Sequence, residues 1–482
     1  MKKKKNSAVL QRIMKNKYIP VIMLIAFFSM SLFAYSLWGL DREEFPGEES
    51  NQNIRIARGI SDDGWELHTF SRNQDDRYTR SGTTEGNNLS TILLSLVHNN
   101  HTILRLSNML LTVLAIFLAF LLMKANSAPT TDSNMALILM IFSPVAIYFS
   151  MVISVISLYS VMLLGACIAI KKDIKPLVVL ISFLMPLFGI PHTILFIIFT
   201  TLYSVATQNT RTLYQLIAPV LISGGIIEYF GLYFSVFNVH FYSLFNVLNT
   251  VIAEFGAIKG IGVMTIVLAL IGFIMMFVER KQQIMQLCTI LIIGSMIFID
   301  YRFVFLLNLA FSMYGAYGLS VLVRREWYSE DLKKLTVFVI ICGLAFTQLA
   351  YFPRIQEIEP TRGKAEALRW LQDMEDGIVL TEPGFSPFVQ NIAKKGTLLN
   401  HFDHDRNIRR DIDDIFSSRE LSRTRELLMR HDVDYIYLDE DIEERNWLHS
   451  NDGLLFLFRD QDNFLKIYEG EEGTRIYRFI GS

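Results

Sequence analysis

A dense run of carboxylates follows the first apolar segment of this 482-residue chain. Five of them, Asp41, Glu43, Glu44, Glu48 and Glu49, lie within nine residues. A carboxylate held at an apolar boundary can act as a general base that removes a proton from an acceptor hydroxyl or amide. The same residues would also suit an ordinary solvated acidic loop. Glu48 and Glu49 are therefore the candidate catalytic residues, with both interpretations open.

A lone arginine, Arg302, lies near the start of a later apolar segment. Its guanidinium matches phosphate oxygens in fork geometry, and a fixed cation there would stabilise a departing phosphate electrostatically. Arg302 could instead be an anchor that keeps its charge in water at the membrane edge. An ion pair with the nearby Asp300 is the third interpretation.

Four further residues are weaker candidates. Glu85 is a candidate second carboxylate, and Arg55, Arg58 and His192 are candidate contacts to a phosphate-bearing donor. Arg58 could equally hold the acidic loop to a neighbouring Asp or Glu. The run HFDHD at 401–405 has histidines three apart beside carboxylates, which can ligate zinc. A solvated turn is the favoured interpretation of that run, and no metal site is predicted.

The elements that position these residues are apolar spans. The chain is 51% hydrophobic, and its long uncharged runs are typical of an integral membrane protein. Lipid offers no hydrogen-bond partners, so the spans must be helices. About eleven are predicted, near 18–39, 103–123, 134–150, 153–170, 175–190, 192–207, 213–235, 260–278, 284–300, 303–322 and 335–352.

The basic residues of the short loops support this topology. They lie before span one, and after spans two, four, six, eight and ten (Lys2–Lys5, Lys124, 171–175, Arg211, 279–281, 324–326 and Lys333–Lys334). If eleven spans alternate, all of them face one side, which the positive-inside rule makes the cytoplasm. We therefore expect a multi-pass plasma-membrane protein with a cytoplasmic N-terminus. The loop 41–101 and the C-terminal domain are expected outside, and 236–258 is expected to be an amphipathic interfacial helix.

The chain after residue 352 has the pattern of a soluble α/β domain. Helices are predicted over 364–374 and 418–431, and strands over 377–381 and 433–438, with a closing hairpin at 464–468 and 474–480. The last 130 residues carry 18 Lys and Arg against 27 Asp and Glu. This acidic balance argues against nucleic acid as a partner, and the lack of a Gly-Lys-Ser/Thr phosphate loop argues against an NTP-driven pump. The predicted domains are 1–352, transmembrane with the external loop 41–101, and 353–482.

Several motifs, in order, resemble those of the GT-C glycosyltransferases. The stretch PGEESNQNIRIARGISDDG, residues 46–64, is similar to the first external loop of that superfamily, with Glu48 and Glu49 at the Asp-Glu positions. Further similar stretches are ILRLSNMLL with Arg105, SPVAIYFS, Pro191–His192–Thr193 and DYRFVFLLNLAFSMYGAYGL. The stretches EALRWLQ, TEPGFSPFVQNIAKKGTLL and RELLMRHDVDYIYL are similar to the outer domain of oligosaccharyltransferase catalytic subunits.

The resemblance implies a GT-C-like transmembrane fold and a polyprenyl-phosphate-linked sugar as the donor substrate. It also implies that Glu48 or Glu49 is the base, that Arg302 contacts the donor phosphate, and that Glu85 is a second carboxylate. Two departures stand out. The stretch MVISVISLYS lacks the charges that the family often has there, and 382–386 replaces the Trp-Trp-Asp-Tyr-Gly run that reads peptide sequons. N-glycosylation of asparagine sequons is therefore not expected.

We thus expect a glycosyltransferase that moves a sugar from a polyprenyl-phosphate donor to an extracytoplasmic glycan, lipid or protein. No cofactor is predicted, and a divalent metal is the less favoured option. One alternative is a catalytically inactive GT-C-like scaffold that binds lipid-linked glycans or partner proteins, which the uncharged 151–157 stretch favours. Another is a lipid or glycan transporter, although such proteins usually bury ionisable residues mid-span at an internal repeat.

Overall fold

The computed structural model describes residues 18–39, 44–62, 89–229, 251–255, 257–279, 283–298, 300–399, 405–447, 449 and 452–481. Glu85, Asp41, Glu43, most of the predicted interfacial helix and residues 401–404 lie outside this part of the chain. The chain divides into two compact units. The described residues of unit 1 are 18–39, 99–229 and 251–356, and those of unit 2 are 44–62, 89–98 and 357–481.

The described helices up to residue 354 are α1 (Ile19–Trp38), α2 (Glu48–Asp62), α3 (Leu89–Ser95), α4 (His101–Ala125), α5 (Thr130–Ile141), α6 (Pro144–Met151), α7 (Val155–Lys171), α8 (Lys175–Leu184), α9 (Ile190–Ala206), α10 (Leu213–Tyr229), α11 (Val263–Glu279), α12 (Gln283–Ile297), α13 (Val304–Arg324) and α14 (Glu330–Arg354). The later helices are α15 (Arg362–Gln372), α16 (Ser386–Phe388), α17 (Arg406–Ser417), α18 (Leu421–Arg430), α19 (Glu440–Asn446) and α20 (Gly453–Leu457).

Each predicted span coincides with a helix or a helix pair in unit 1. Among the described residues, four helical segments are long and apolar enough to cross a membrane: α1, α4, α13 with the turn before it, and α14. The pair α5 and α6 would make a fifth. Shorter apolar helices occupy α7, α8 with the turn after it, α9, and most of α10 and α11. The count of about eleven spans stays a prediction, since many of these helices are shorter than a bilayer requires.

The predicted span 134–150 coincides with two helices, and Pro144 interrupts it. Helices α5 and α6 meet at a bend of 59°. Pro144 begins α6, and a proline can neither donate a helical hydrogen bond nor fit the preceding turn. Ser143 at the break donates to Asn308 Oδ1 over 2.8 Å. The break is therefore specified by the local sequence and held by α13.

Two features position the helices of unit 1. Asn108 Nδ2, on α4, donates to the carbonyls of Phe149, Ser150 and Val152 at 2.9, 3.0 and 2.9 Å. These bonds satisfy backbone groups freed where α6 ends. Glycines let α11 and α13 approach closely, because a Cβ on Gly272 would lie 1.9 Å from the Tyr314 carbonyl oxygen. Small residues at such contacts are typical of helix packing in membranes.

Unit 2 contains a five-stranded sheet built largely as predicted. The strands are β1 (Ile378–Leu380), β2 (Gly396–Thr397), β3 (Val433–Leu438), β4 (Phe464–Glu469) and β5 (Arg475–Phe479). Their order is β2-β1-β3-β5-β4. β1 runs parallel to β2 and β3, and β5 runs antiparallel to β3 and β4. β3 lies at the centre of the sheet. Five of its six residues are buried, as expected for a strand that is covered on both faces.

The domain division differs from the predicted one at the acidic loop. The predicted boundary after residue 352 is close to the observed division after residue 356. The described part of the loop, 44–62 and 89–98, belongs to unit 2 and not to the unit of the apolar helices. The sequence could not show this, because α2 packs on residues far along the chain.

Candidate functional site

Arg302 lies in a short helical turn, Tyr301–Phe303, between α12 and α13. Its Nε contacts both carboxylate oxygens of Asp300, at 2.9 and 2.7 Å. The backbone N–H of Arg302 also donates to Asp300 Oδ1 over 2.9 Å. The side chains of Arg302 and Asp300 are only 18% and 13% exposed. The predicted ion pair is present, and it fixes the direction of the guanidinium.

His192 lies beside this turn, at the start of α9 after Pro191. Its ring centroid is 5.3 Å from that of Phe303 and 5.0 Å from that of Tyr159. Tyr159 donates to the His192 carbonyl over 3.0 Å. The His192 Nε2 atom is buried and has no hydrogen-bond partner among the described residues. An orphaned polar atom of this kind indicates a place for a ligand or an ordered water.

Lys259 is a second cation near this turn, and the sequence pattern did not reveal it. Its Nζ lies 3.7 Å from the centroid of the Tyr301 ring and 5.7 Å from that of Tyr148. A β-bridge between Ile252 and Ile261 holds its segment, and the Ile261 N–H donates to the Val251 carbonyl over 2.6 Å. Aromatic faces attract a cation electrostatically. The cation cluster, defined here as the cations Lys259 and Arg302 together with the imidazole of His192, therefore forms around the turn before α13.

Glu48 and Glu49 occupy the first turn of α2 in unit 2. Carboxylates there are stabilised by the positive end of the helix dipole. Glu49 is 3% exposed and Glu48 is half-buried, while Ile54, Ala57 and Ile60 are buried. A solvated acidic loop is therefore the wrong interpretation for residues 48–57, which form a buried helix. The cation cluster belongs to unit 1, so the convergence of these carboxylates with Arg302 stays a prediction.

The segment that follows β1 holds α2 in place. Asn391 Nδ2 donates to Asn51 Oδ1 over 2.8 Å, and Asn51 Nδ2 donates to the carbonyls of Phe45 and Gly47, both at 2.9 Å. Arg58 donates to the Asn391 carbonyl over 3.4 Å. That contact replaces the expected pairing of Arg58 with an Asp or Glu. A contact between Arg58 and the donor stays a prediction.

Asn391 belongs to a π-helix, Val389–Ala393, which ends at Lys394 in the left-handed conformation. Short π-helical turns often occur at functional sites. Glu44 lies shortly before α2 and pairs with Arg369 on α15, with an Oε2–Nη2 distance of 2.7 Å. The start of α2 is thus tied to both α15 and the π-helix. No local pattern predicts these contacts, because they join residues more than 300 positions apart.

Metal ligation has little support in the described part of the chain. No group of three or more His, Cys, Asp or Glu side chains is placed there to hold a metal ion. Asp405, the last residue of the HFDHD run, accepts hydrogen bonds from the backbone of Asn407 and Ile408 and caps α17. Residues 401–404 and Glu85 lie outside the described residues, so their roles stay predictions.

Solved structures of an oligosaccharyltransferase from the archaeon Archaeoglobus fulgidus have a similar architecture. Its oligosaccharyltransferase in the apo form matches 88% of this chain and 70% of its own, with a TM-score of 0.60 and 12% identity. This chain has the fold of an archaeal oligosaccharyltransferase. No protein-family model matches the sequence, and no curated protein matches it.

Two further oligosaccharyltransferase structures from the same organism share this fold with the chain. One carries a tethered acceptor peptide and matches 88% of this chain and 69% of its own, with a TM-score of 0.54 and 12% identity. The other is AglB with an inhibitory peptide and a dolichol-phosphate. It matches 97% of this chain and 74% of its own, at the same TM-score and identity. The resemblance to GT-C-type enzymes is thus confirmed at the level of the fold.

Proposed function

We propose that this protein is a glycosyltransferase that takes a sugar from a polyprenyl-phosphate-linked donor. The observation that carries the proposal is the cation cluster, held at helix ends in a chain with the oligosaccharyltransferase fold. One protein with this fold binds a dolichol-phosphate. A phosphate with an apolar tail suits cations at the end of apolar helices, because the tail stays in lipid while the headgroup meets the charges.

The cation cluster can stabilise the donor phosphate as it leaves the sugar. In the transfer, the bond between the sugar C1 and the donor phosphate oxygen breaks, and the phosphate leaves with the electron pair. Asp300 fixes the Arg302 guanidinium, so little reorganisation is needed when charge develops on that oxygen. Lys259 adds a second positive charge, and His192 Nε2 offers a hydrogen-bonding atom. The new bond forms between C1 and an acceptor heteroatom.

The acceptor proton must go to a base, and Glu48 or Glu49 is the candidate. Glu49 is the more deeply buried of the two, which reduces competition from water. Peptides are bound by the neighbouring oligosaccharyltransferases. We infer a protein or peptide acceptor on that basis, with a glycan or lipid as the alternatives. The missing Trp-Trp-Asp-Tyr-Gly run predicts that this acceptor is not recognised by its asparagine sequon.

The test compares two Arg–Asp pairs at opposite ends of one helix. Arg302 pairs with Asp300 before α13, and Arg324 pairs with Asp132 at its other end, at 2.9 Å. We expect Arg302→Ala to lower the rate of sugar transfer from a polyprenyl-phosphate donor by about a hundredfold or more, the usual loss for one such group. Arg324→Ala should leave the rate near that of the wild type. Equal rates in the two variants would show that Arg302 is only an anchor.

The carboxylates are tested in the same assay with Glu48→Gln and Glu49→Gln. We expect one of the two to abolish transfer while donor binding, measured separately, is retained. Retention of transfer in both variants would sink their assignment as bases.

A catalytically inactive scaffold is the second candidate. Residues 151–157 carry no charge and are buried, where related sequences often have charged side chains. Donor binding by the wild-type protein without any transfer, over a panel of acceptor peptides and glycans, would favour the scaffold.

A further inference from the structure

A polar cavity of about 390 Å³ lies in unit 1 where α7 ends, α8 begins and α10 begins. Its lining includes Lys171, Lys175 and Arg211, together with Asp173. Thr207, directly after α9, also lines the cavity. At the opposite ends of α7 and α9, Tyr159 of α7 contacts His192 of α9. Each helix has 17 residues, which at 1.5 Å per residue is about 25 Å. The cavity therefore lies at the opposite membrane face from the cation cluster.

Backbone and side-chain hydrogen bonds build the cavity in advance. Asn209 Nδ2 donates to the Ile170 carbonyl over 3.0 Å and so joins the two loops. Thr212 and Ser204 both donate to the Asn209 carbonyl, at 2.7 and 2.6 Å. Asp173 and Gln208 adopt left-handed backbone conformations, with φ of 54° and 56°, which end α7 and α9 sharply. The cations project from a fixed frame and not from mobile loops.

Charge and hydrogen bonding in the cavity point to a ligand that carries both a phosphate and a hydroxyl group. Lys171, Lys175 and Arg211 are all exposed to solvent at its rim, and three cations face one carboxylate. Such an excess favours a phosphate. Gln215 Oε1, also in the lining, is buried without a hydrogen-bond partner among the described residues. That atom is an acceptor, so it requires a donor such as a hydroxyl in addition to the phosphate.

Apolar side chains beside the cavity distinguish a lipid from a free phosphate. Ile174 is 41% exposed, Leu177 is 39% exposed and Ile217 is 39% exposed. Ile174 and Leu177 lie beside Lys175 at the start of α8, and Ile217 lies two residues after Gln215 near the start of α10. An acyl chain would cover them, whereas inorganic phosphate would not.

We propose that this cavity binds the headgroup of a phospholipid of the cytoplasmic leaflet, with the cations on the phosphate and Gln215 on a headgroup hydroxyl. Basic pockets between membrane helices on that side are a general means of holding anionic lipid headgroups. The proposal is independent of sugar transfer, because its residues are at the other end of α7 and α9. A bound lipid would join α7, α8, α9 and α10 at this face.

The experiment titrates the purified full chain in detergent with short-chain phosphatidylglycerol, phosphatidic acid and inorganic phosphate, and measures binding. We expect phosphatidylglycerol to bind most tightly, and Arg211→Gln to weaken its binding about tenfold. Gln215→Leu should weaken phosphatidylglycerol more than phosphatidic acid, since only the former carries headgroup hydroxyls. Lys172→Gln is the matched control, because Lys172 is adjacent to Lys171 but does not line the cavity.

Three results would overturn the proposal. Equal loss in Arg211→Gln and Lys172→Gln would indicate general surface charge and no site. Equal affinity for inorganic phosphate and phosphatidylglycerol would indicate a free-phosphate site and exclude the lipid. Unchanged binding in all variants would exclude this cavity.

Discussion

Lys364 is a buried cation whose charge is balanced by three carboxylates of unit 2. Its side chain is 4% exposed. The Nζ atom lies 2.6 Å from Glu359 and 3.2 Å from Asp439, and it also contacts Asp441. Asp439 accepts a hydrogen bond from the Ile442 backbone and so starts α19. The residue therefore links α15 to the end of β3.

We expect Lys364→Met to destabilise the protein by about 3–5 kcal/mol, because it leaves the buried Asp439 carboxylate without its cation. The measurement is thermal unfolding of the full chain, followed by limited proteolysis of unit 2. Arg362→Met is the control, since Arg362 makes an exposed pair with Glu366 one turn along the same helix. Equal melting temperatures for the two variants would contradict this account.

The same cluster predicts a pH dependence. Burial acts to lower the pKa of Lys364, but Glu359 and Asp439 together raise it above its ordinary value. This stabilisation is thus complete below the unfolded pKa, about 10.4, and is lost as pH rises through the folded value. The hydrogen bond from Lys364 lowers the pKa of Asp441. The contribution of Asp441 to stability is therefore lost as pH falls below the unfolded pKa, about 3.9.

The stability difference between wild type and Lys364→Met should therefore be widest between these limits and narrow towards both. Thermal unfolding of both proteins across the pH range measures it. A constant difference from pH 3 to 11 would show that the loss comes from packing alone.

The cation cluster was only partly visible at the level of single residues. The sequence predicts Arg302 because a guanidinium at the end of an apolar span matches a phosphate, and it leaves an ion pair with Asp300 open as another interpretation. His192 was a candidate only through the resemblance to GT-C sequences. Lys259 was missed, because its position depends on the pairing of Ile252 with Ile261. A lysine in a mixed apolar segment gives no sign of such pairing.

At the level of helices and strands, hydropathy and periodicity predicted most of the boundaries. β3 spans Val433–Leu438 as predicted, and α15 begins two residues before the predicted helix. The errors have identifiable causes. Pro144 divides one predicted span into α5 and α6, and β2 has only two residues, too few for a pattern. The burial of α2 depends on Asn391 and Arg369, which no local pattern connects to it.

The contact of α11 with α13 yields a prediction about glycine. We expect Gly272→Ala to destabilise the protein by about 1–3 kcal/mol, the usual range for overpacking, or more. The new methyl group would meet the Tyr314 carbonyl of α13 at 1.9 Å. Gly225→Ala in α10 is the matched control, since nothing lies within 4 Å of its added Cβ.

Alanine is the better helix former by about 1 kcal/mol, so Gly225→Ala should be neutral or mildly stabilising. Thermal unfolding in detergent measures both variants. If Gly272→Ala melts at or above the wild-type temperature, α11 and α13 do not pack as closely as described.

For the whole molecule, the division into two units matters more than the number of spans. The described acidic segment belongs with the sheet-containing unit, so the candidate base and the cation cluster lie in different compact units. Catalysis would then depend on both units at once. The sequence predicted a boundary near residue 352 from the change in composition. It could not assign the 44–62 segment, because that assignment depends on contacts with distant residues.

The orientation of the whole chain gives the last prediction. An odd number of spans puts the loop after α4 and the C-terminal unit on opposite sides, and the basic loops assign the former to the cytoplasm.

Ser127, after α4, and Ser422, in α18, are both exposed. In a chain whose native cysteines are replaced by serine, we expect a membrane-impermeant thiol reagent to label Ser422→Cys in intact cells. Ser127→Cys should be labelled only after the membrane is opened. Labelling of both in intact cells, or of neither, would require an even number of spans between these positions. The cation cluster and the headgroup cavity lie at opposite ends of α7 and α9, so labelling of Ser127→Cys alone would reverse the side assigned to each.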